Sequence, residues 1–201
     1  LVGNGSGHAV GVVTFSSSVS SPLDLPLTTG IPLAPQVEAA LSGVNPSGAT
    51  AIGPALLAAQ DELVDNGSNN RKAILLLTDG KENVGPCLDG DTAANCSGSG
   101  NEIGEFAFGD TQICVVGYGN EIDLDSIVLR NVAERQGGIF TSGSGELELK
   151  KFFLDCFADI FNFTTAVDPI DVLPADKKSS SPVIYSSSMD RELMFVLAWQ
   201  N

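Results

Sequence analysis

Two unbroken apolar runs limit the folds open to this chain more than any other feature. Lys72–Leu77 (KAILLL) runs straight into Thr-Asp-Gly at 78–80, and Gln112–Gly119 (QICVVGYG) has the same character. A strand with one wet face alternates apolar and polar residues, whereas a run without alternation is the pattern of a parallel strand covered on both faces. Helical periods lie around these runs. Ile52, Ala55, Leu56, Ala59 and Leu63 fall on one helix face. Leu124, Ile127, Val128 and Val132 stripe a helix over Asp123–Gln136, which Gly137–Gly138 stops. Leu149, Phe153, Phe157, Ile160 and Phe161 stripe another over Glu146–Phe161. Further strands are predicted at His8–Phe15, at Asp24–Thr28 (where Pro26 suits an edge) and at Gly138–Thr141, with a short helix over Pro35–Leu41. This alternation predicts an α/β fold: a doubly wound, Rossmann-like, mostly parallel sheet flanked by helices.

The pattern changes after Phe163. Ile170–Leu173, Pro182–Tyr185 and Leu193–Trp199 read as short strands with polar turns and no helix between them. Residues 1–163 are therefore predicted to form the α/β domain, and residues 164–201 the start of an all-β, sandwich-like unit. The glycine-rich stretch Pro86–Asp110 reads as a surface insertion. Leu1 is not an initiator Met, so the true N-terminus is expected upstream or cleaved away.

Charge narrows the partners. The chain carries 25 acidic against 10 basic residues, a formal net charge of −15. Such a surface repels nucleic-acid phosphates and anionic lipid, and it tolerates hard cations and basic partner surfaces. No apolar run is long enough to cross a bilayer.

Of the four cysteines, Cys87 and Cys96 lie in the polar insertion, close enough in sequence to close a small loop, while Cys114 sits in an apolar strand and Cys156 on a helix face. A Cys87–Cys96 disulfide is favoured over free thiols, and the state of Cys114 and Cys156 stays open. Four Asn-x-Ser/Thr sequons stand at Asn4, Asn66, Asn95 and Asn162, which together with the cysteine loop point to an extracellular or cell-surface protein.

In open α/β sheets, ligands bind beyond the carboxyl ends of the strands. Asp79 stands at such an end, and Thr50 stands at the start of the helix in GATAIGPALLAAQDEL, on a loop of the same face. A carboxylate and a hydroxyl converging there suit a hard cation held through oxygens. Taken singly, Asp79 is a plain turn residue and Thr50 a helix N-cap. No enzyme site accompanies them. The one histidine, His8, starts a strand, and there is no nucleophile elbow or phosphate-binding glycine loop. Glu102 and Glu105 read as solvated loop residues, and Asp123 and Asp125 suit a helix start.

The segments SGATAIGPAL (47–56), LLLTDGKEN (75–83) and AVGVVTFSSSV (9–19) resemble signature segments of von Willebrand factor A domains, in order and spacing from about His8 to Phe161. The resemblance implies a non-enzymatic adhesion or protein-binding module. Its metal-ion-dependent site uses an Asp-x-Ser-x-Ser loop, a Thr and an Asp. By resemblance Thr50 is that Thr and Asp79 that Asp, holding Mg²⁺ or Ca²⁺ (or Mn²⁺), whose shell an acidic residue of a protein ligand completes. No Asp-x-Ser-x-Ser occurs in the 201 residues. The family carries it after a central first strand, which is therefore expected from a preceding segment or another chain, between the strands at 9–15 and 72–77. A finer likeness, in NGSGHAVGVVTFSSSV, in LLLTDGKEN with Cys87 after it, and in the tail YSSSMDRELMFVLAWQN, is to the calcium-activated chloride channel regulator family and its bacterial relatives. That family implies a following β domain, secretion or surface attachment, and in many members self-cleavage by a zinc protease whose His-Glu-x-x-His this chain lacks. A structural domain of a surface assembly with a vestigial metal site is the other reading.

Overall fold

The computed structural model describes residues 8–29, 33–45, 47–68, 70–88, 102–104, 107–119, 123–143 and 145–161. The strands expected at Ile170–Leu173, Pro182–Tyr185 and Leu193–Trp199 lie outside these residues. In chain order the elements are β1 (Ala9–Val12), β2 (Leu25–Thr29), α1 (Ala34–Leu41), α2 (Ile52–Asp65), β3 (Ala73–Thr78), β4 (Gln112–Tyr118), α3 (Ser126–Arg135), β5 (Phe140–Gly143) and α4 (Glu146–Ile160). The chain divides into two compact units, Leu1–Ser144 and Gly145–Asn201.

The first unit holds the mixed α/β architecture. β3, β4 and β5 form a parallel sheet in that order, with Leu75 beside Cys114 and Val116 beside Thr141. β1 and β2 form a separate antiparallel pair, irregular between Val10 and Val12. Among the described residues β1 and β3 do not pair with each other. The strand predicted through Phe15 is shorter, because the chain turns at Ser16–Ser18 and Phe15 bridges Val19. Asp24 closes that turn, its Oδ2 accepting from the Thr14 amide and the Thr14 hydroxyl, each at 2.8 Å. Partial burial pushes the Asp24 carboxyl up, but the hydrogen bonds from Ser20 and Thr14 outweigh it and hold it below its ordinary value. Glu62 of α2 accepts from the Leu27 amide at 2.7 Å, tying β2 to the helix.

The core is built where the periodicities predict it, except at Ile127 of the α3 stripe, which is 74% exposed because it lies off the face that packs on the sheet. Ile52 and Leu56 of α2, Ile74 and Leu76 of β3, Ile113 and Val115 of β4, and Val128, Leu129 and Val132 of α3 form one buried cluster. Three residues of the expected surface insertion join them: Leu88, Ile103 and Phe108 are at most 6% exposed. The stretch is thus core at these side chains, which pack with residues of α2 and α3, while Glu102, Gly104, Gly109 and Asp110 are exposed. β4 is covered on both faces, as predicted, from Ile113 to Gly117. β3 is not: Leu75 and Leu77 are 38% and 51% exposed, because β3 is an edge of the described sheet. α3 is capped by Asp125, whose Oδ1 accepts from the Val128 amide at 3.4 Å, and ends at Gly137 with φ 64°. No helix among the described residues is long and apolar enough to cross a membrane.

In the second unit α4 is preceded by its N-cap Gly145, whose amide donates to Glu148 Oε2 at 3.3 Å. Among its described side chains the buried ones are Phe152 and Cys156, one place off the predicted Phe153–Phe157 line. Phe157 instead stacks on Phe161 at 6.4 Å between ring centres.

Candidate functional site

Three loops meet at the start of α2. Ala51 is the N-cap, with no side-chain cap of its own, so Thr50 is not spent as a cap. The Thr50 backbone is instead gripped by Asn83: Asn83 Oδ1 accepts from the Thr50 amide at 2.8 Å, and the Asn83 amide donates to the Thr50 carbonyl at 3.0 Å. The serine loop after β1 braces the other side. The Ala49 amide donates to Ser17 Oγ at 2.9 Å, and the Ala51 amide to the Ser16 carbonyl at 2.9 Å. Gly48 makes the approach possible, at φ 90° and with Ser17 Oγ only 2.6 Å from where a Cβ would stand.

This arrangement carries the Thr50 hydroxyl to the end of β3. A Cβ on Gly80 would lie 3.1 Å from Thr50 Oγ1, and Gly80 directly follows Asp79. The turn is set by buried Thr78, whose hydroxyl donates to the Gly80 carbonyl at 3.2 Å. Asp79 is exposed. Neither its carboxylate nor the Thr50 hydroxyl is engaged by a hydrogen bond or ion pair with another described residue. Two uncommitted oxygen donors at the carboxyl end of a parallel strand fit a hard cation in donor type. Among the described residues no group of three or more His, Cys, Asp and Glu side chains gathers, so further oxygens have to come from elsewhere.

Sequence reasoning missed four contributors. Asn83 stood inside LLLTDGKEN without a role, and the reciprocal clamp it makes on Thr50 needs a contact across 33 residues. Ser16 and Ser17, read as a plain polar loop, brace the Thr50 loop. Glu82 is 2% exposed, and its carboxylate accepts from the Gly53 and Leu88 amides. The remaining predicted residues are placed as follows. Cys87 is fully buried and disulfide-bonded, while Cys96 lies outside the described residues. Cys114 and Cys156 are disulfide-bonded as well. Asn66 is exposed at the end of α2, donating to Glu62 Oε2 at 3.0 Å, and Asn4, Asn95 and Asn162 lie outside the described residues.

A parallel sheet with flanking helices and a cluster of oxygen-bearing loops at its carboxyl ends defines an α/β domain of the ligand-crevice class. Residues 1–82 match the family model of the von Willebrand factor type A domain. Solved structures carry the same fold. A von Willebrand factor type A protein from Catenulispora acidiphila aligns with TM-score 0.55 at 20% identity over 76% of this chain. The conserved hypothetical protein BatB from Bacteroides thetaiotaomicron aligns with TM-score 0.51 at 16% identity, over 77% of this chain and 80% of its own. An aerotolerance-related membrane protein from Bacteroides fragilis aligns with TM-score 0.50 at 16% identity, over 81% of this chain and 83% of its own. The present chain spans about a third of the Catenulispora protein, 34% of its length. No curated protein matches in sequence. The family model covers residues 1–82 of the 201, and the solved structures share the fold of the chain at 20% identity or less.

Proposed function

We propose that this chain is a non-enzymatic, metal-dependent adhesion or protein-binding module of a larger secreted or cell-surface protein. The observation that carries the reading is the pair of uncommitted oxygens, Thr50 Oγ1 and the Asp79 carboxylate, on loops that Asn83, Ser17 and Thr78 hold together. Thr50 and Asp79 would hold Mg²⁺, Ca²⁺ or Mn²⁺ with oxygens from an Asp-x-Ser-x-Ser loop on another segment or chain. A bound cation supplies a positive centre that accepts a carboxylate from a protein ligand, which lets a chain of net charge −15 bind an acidic partner. The strand that bears the loop would lie between β1 and β3, which have no described partner in common.

Titration calorimetry of the full-length protein with Mg²⁺ tests this. Asp79→Ala is expected to weaken binding by at least about tenfold, or about 1.4 kcal/mol. Equal binding by both forms removes Asp79 from the site. The finer likeness to the channel regulators supports a second reading, a regulatory part of a self-cleaving protease; it requires a His-Glu-x-x-His upstream and predicts autocleavage. A structural domain in a surface assembly is the reading left if the protein binds no cation.

A further inference from the structure

We infer that Glu82 is a positioning residue for the Thr50 loop, and that through it the disulfide-anchored segment after β3 sets the affinity of the cation site. The inference rests on the cation reading of Thr50 and Asp79. Glu82 is buried, at 2% exposure, and its two oxygens reach two different segments. Oε1 accepts from the Gly53 amide in the first turn of α2, and Oε2 accepts from the Leu88 amide at 2.8 Å.

On the α2 side, the helix has an alanine N-cap without a side-chain cap and no acidic residue in its first turn. Unsatisfied amides and the positive end of the helix dipole call for an anion there. Glu82 supplies it from 29 residues away in sequence. The fit leaves no slack: a Cβ on Gly53 would meet the Pro86 carbonyl oxygen at 2.1 Å and Glu82 Oε1 at 2.9 Å. Gly53 lies three residues beyond Thr50, and Asn83, next to Glu82, grips the Thr50 backbone in both directions. On the other side, Leu88 follows Cys87, which is fully buried, disulfide-bonded, and accepts from the Ile103 amide at 2.7 Å. A continuous strut thus runs from the Cys87 anchor through Leu88, Glu82 and Gly53 to Thr50. Both Glu82 oxygens accept from backbone amides, so its effect on a cation runs through the loop rather than through ligation.

The test is Glu82→Gln in the full-length protein, which keeps the size but sets an amide NH₂ against a backbone donor. In the cation-free protein, hydrogen exchange of residues 50–53 and 83–88 is expected to quicken by about tenfold or more, with the amides of β4 unchanged. The Mg²⁺ dissociation constant is expected to rise about tenfold with the stoichiometry kept, as for residues that hold a metal ligand in place. Unchanged exchange in 50–53 overturns the inference, and so does faster exchange with unchanged Mg²⁺ affinity. If the wild-type protein binds no Mg²⁺, the cation reading falls and exchange alone decides whether Glu82 holds the loop: faster exchange in 50–53 upholds it. Should the variant not fold, the wild-type protein still decides. Its Gly53 and Leu88 amides must exchange as slowly as those of β4, and fast exchange at both overturns the strut.

Discussion

Replacing Gly53 with alanine separates local helix propensity from tertiary packing, because the two predict opposite signs. Inside a helix, alanine is favoured over glycine by about 0.5–1 kcal/mol. Gly53 sits in the first turn of α2, so a reading of the helix alone predicts that Gly53→Ala stabilises. The structure predicts the reverse. The new methyl would stand 2.1 Å from the Pro86 carbonyl oxygen and 2.6 Å from Ile103 Cδ1, and the first of these is backbone that cannot rotate away. Relief requires moving either the start of α2 or the segment at Pro86, and both movements pull on Glu82. Overpacking of this kind costs about 1–3 kcal/mol. Losing the charge-assisted bond from the Gly53 amide to Glu82 adds about 1.5–3 kcal/mol. Set against the propensity gain, the net expectation is a loss of about 1.5–5.5 kcal/mol. Urea unfolding followed by circular dichroism measures it, with Gly43→Ala as control, since nothing lies within 4 Å of a Cβ there. Wild-type or higher stability for Gly53→Ala would refute the packing argument.

Three further outcomes are expected. Leu129→Ala removes a side chain that is 2% exposed in the core cluster and should cost about 2–5 kcal/mol in the same unfolding assay. The Asp24 carboxyl is held below its ordinary value, so its contribution is present above the unfolded value of about 3.9 and lost as pH falls through the folded value. The stability deficit of Asp24→Asn should accordingly be visible near neutral pH and shrink below about pH 4; a deficit that stays constant down to pH 2 removes the carboxylate from the turn. Peptide mapping without reduction should recover Cys87 linked to Cys96, and recovery of Cys87 linked to another cysteine corrects the pairing.

Periodicity is a local property, and what depends on it was legible in the chain. The unbroken runs at 72–77 and 112–119 became neighbouring parallel strands, and of the stripe Leu124, Ile127, Val128 and Val132 all but Ile127, which is 74% exposed, became the buried face around α3 that Gly137 ends. Thr-Asp-Gly after β3 placed Asp79 at the sheet's carboxyl end for the same reason, since a strand followed by turn residues stops where the turn begins. Only the tertiary structure decided what those residues touch. Thr50 has the chemistry of a cap, yet Ala51 takes the cap position and leaves the hydroxyl open, because Asn83 and Ser17 fix the loop from two other segments. Glu82 looks like one more surface charge in an acidic chain; its burial follows from uncapped helix amides brought against it by folding. Whether β3 is covered on both faces also depended on neighbours, and Leu75 and Leu77 remain open because a strand's cover is supplied by other segments of chain, which its own composition does not specify.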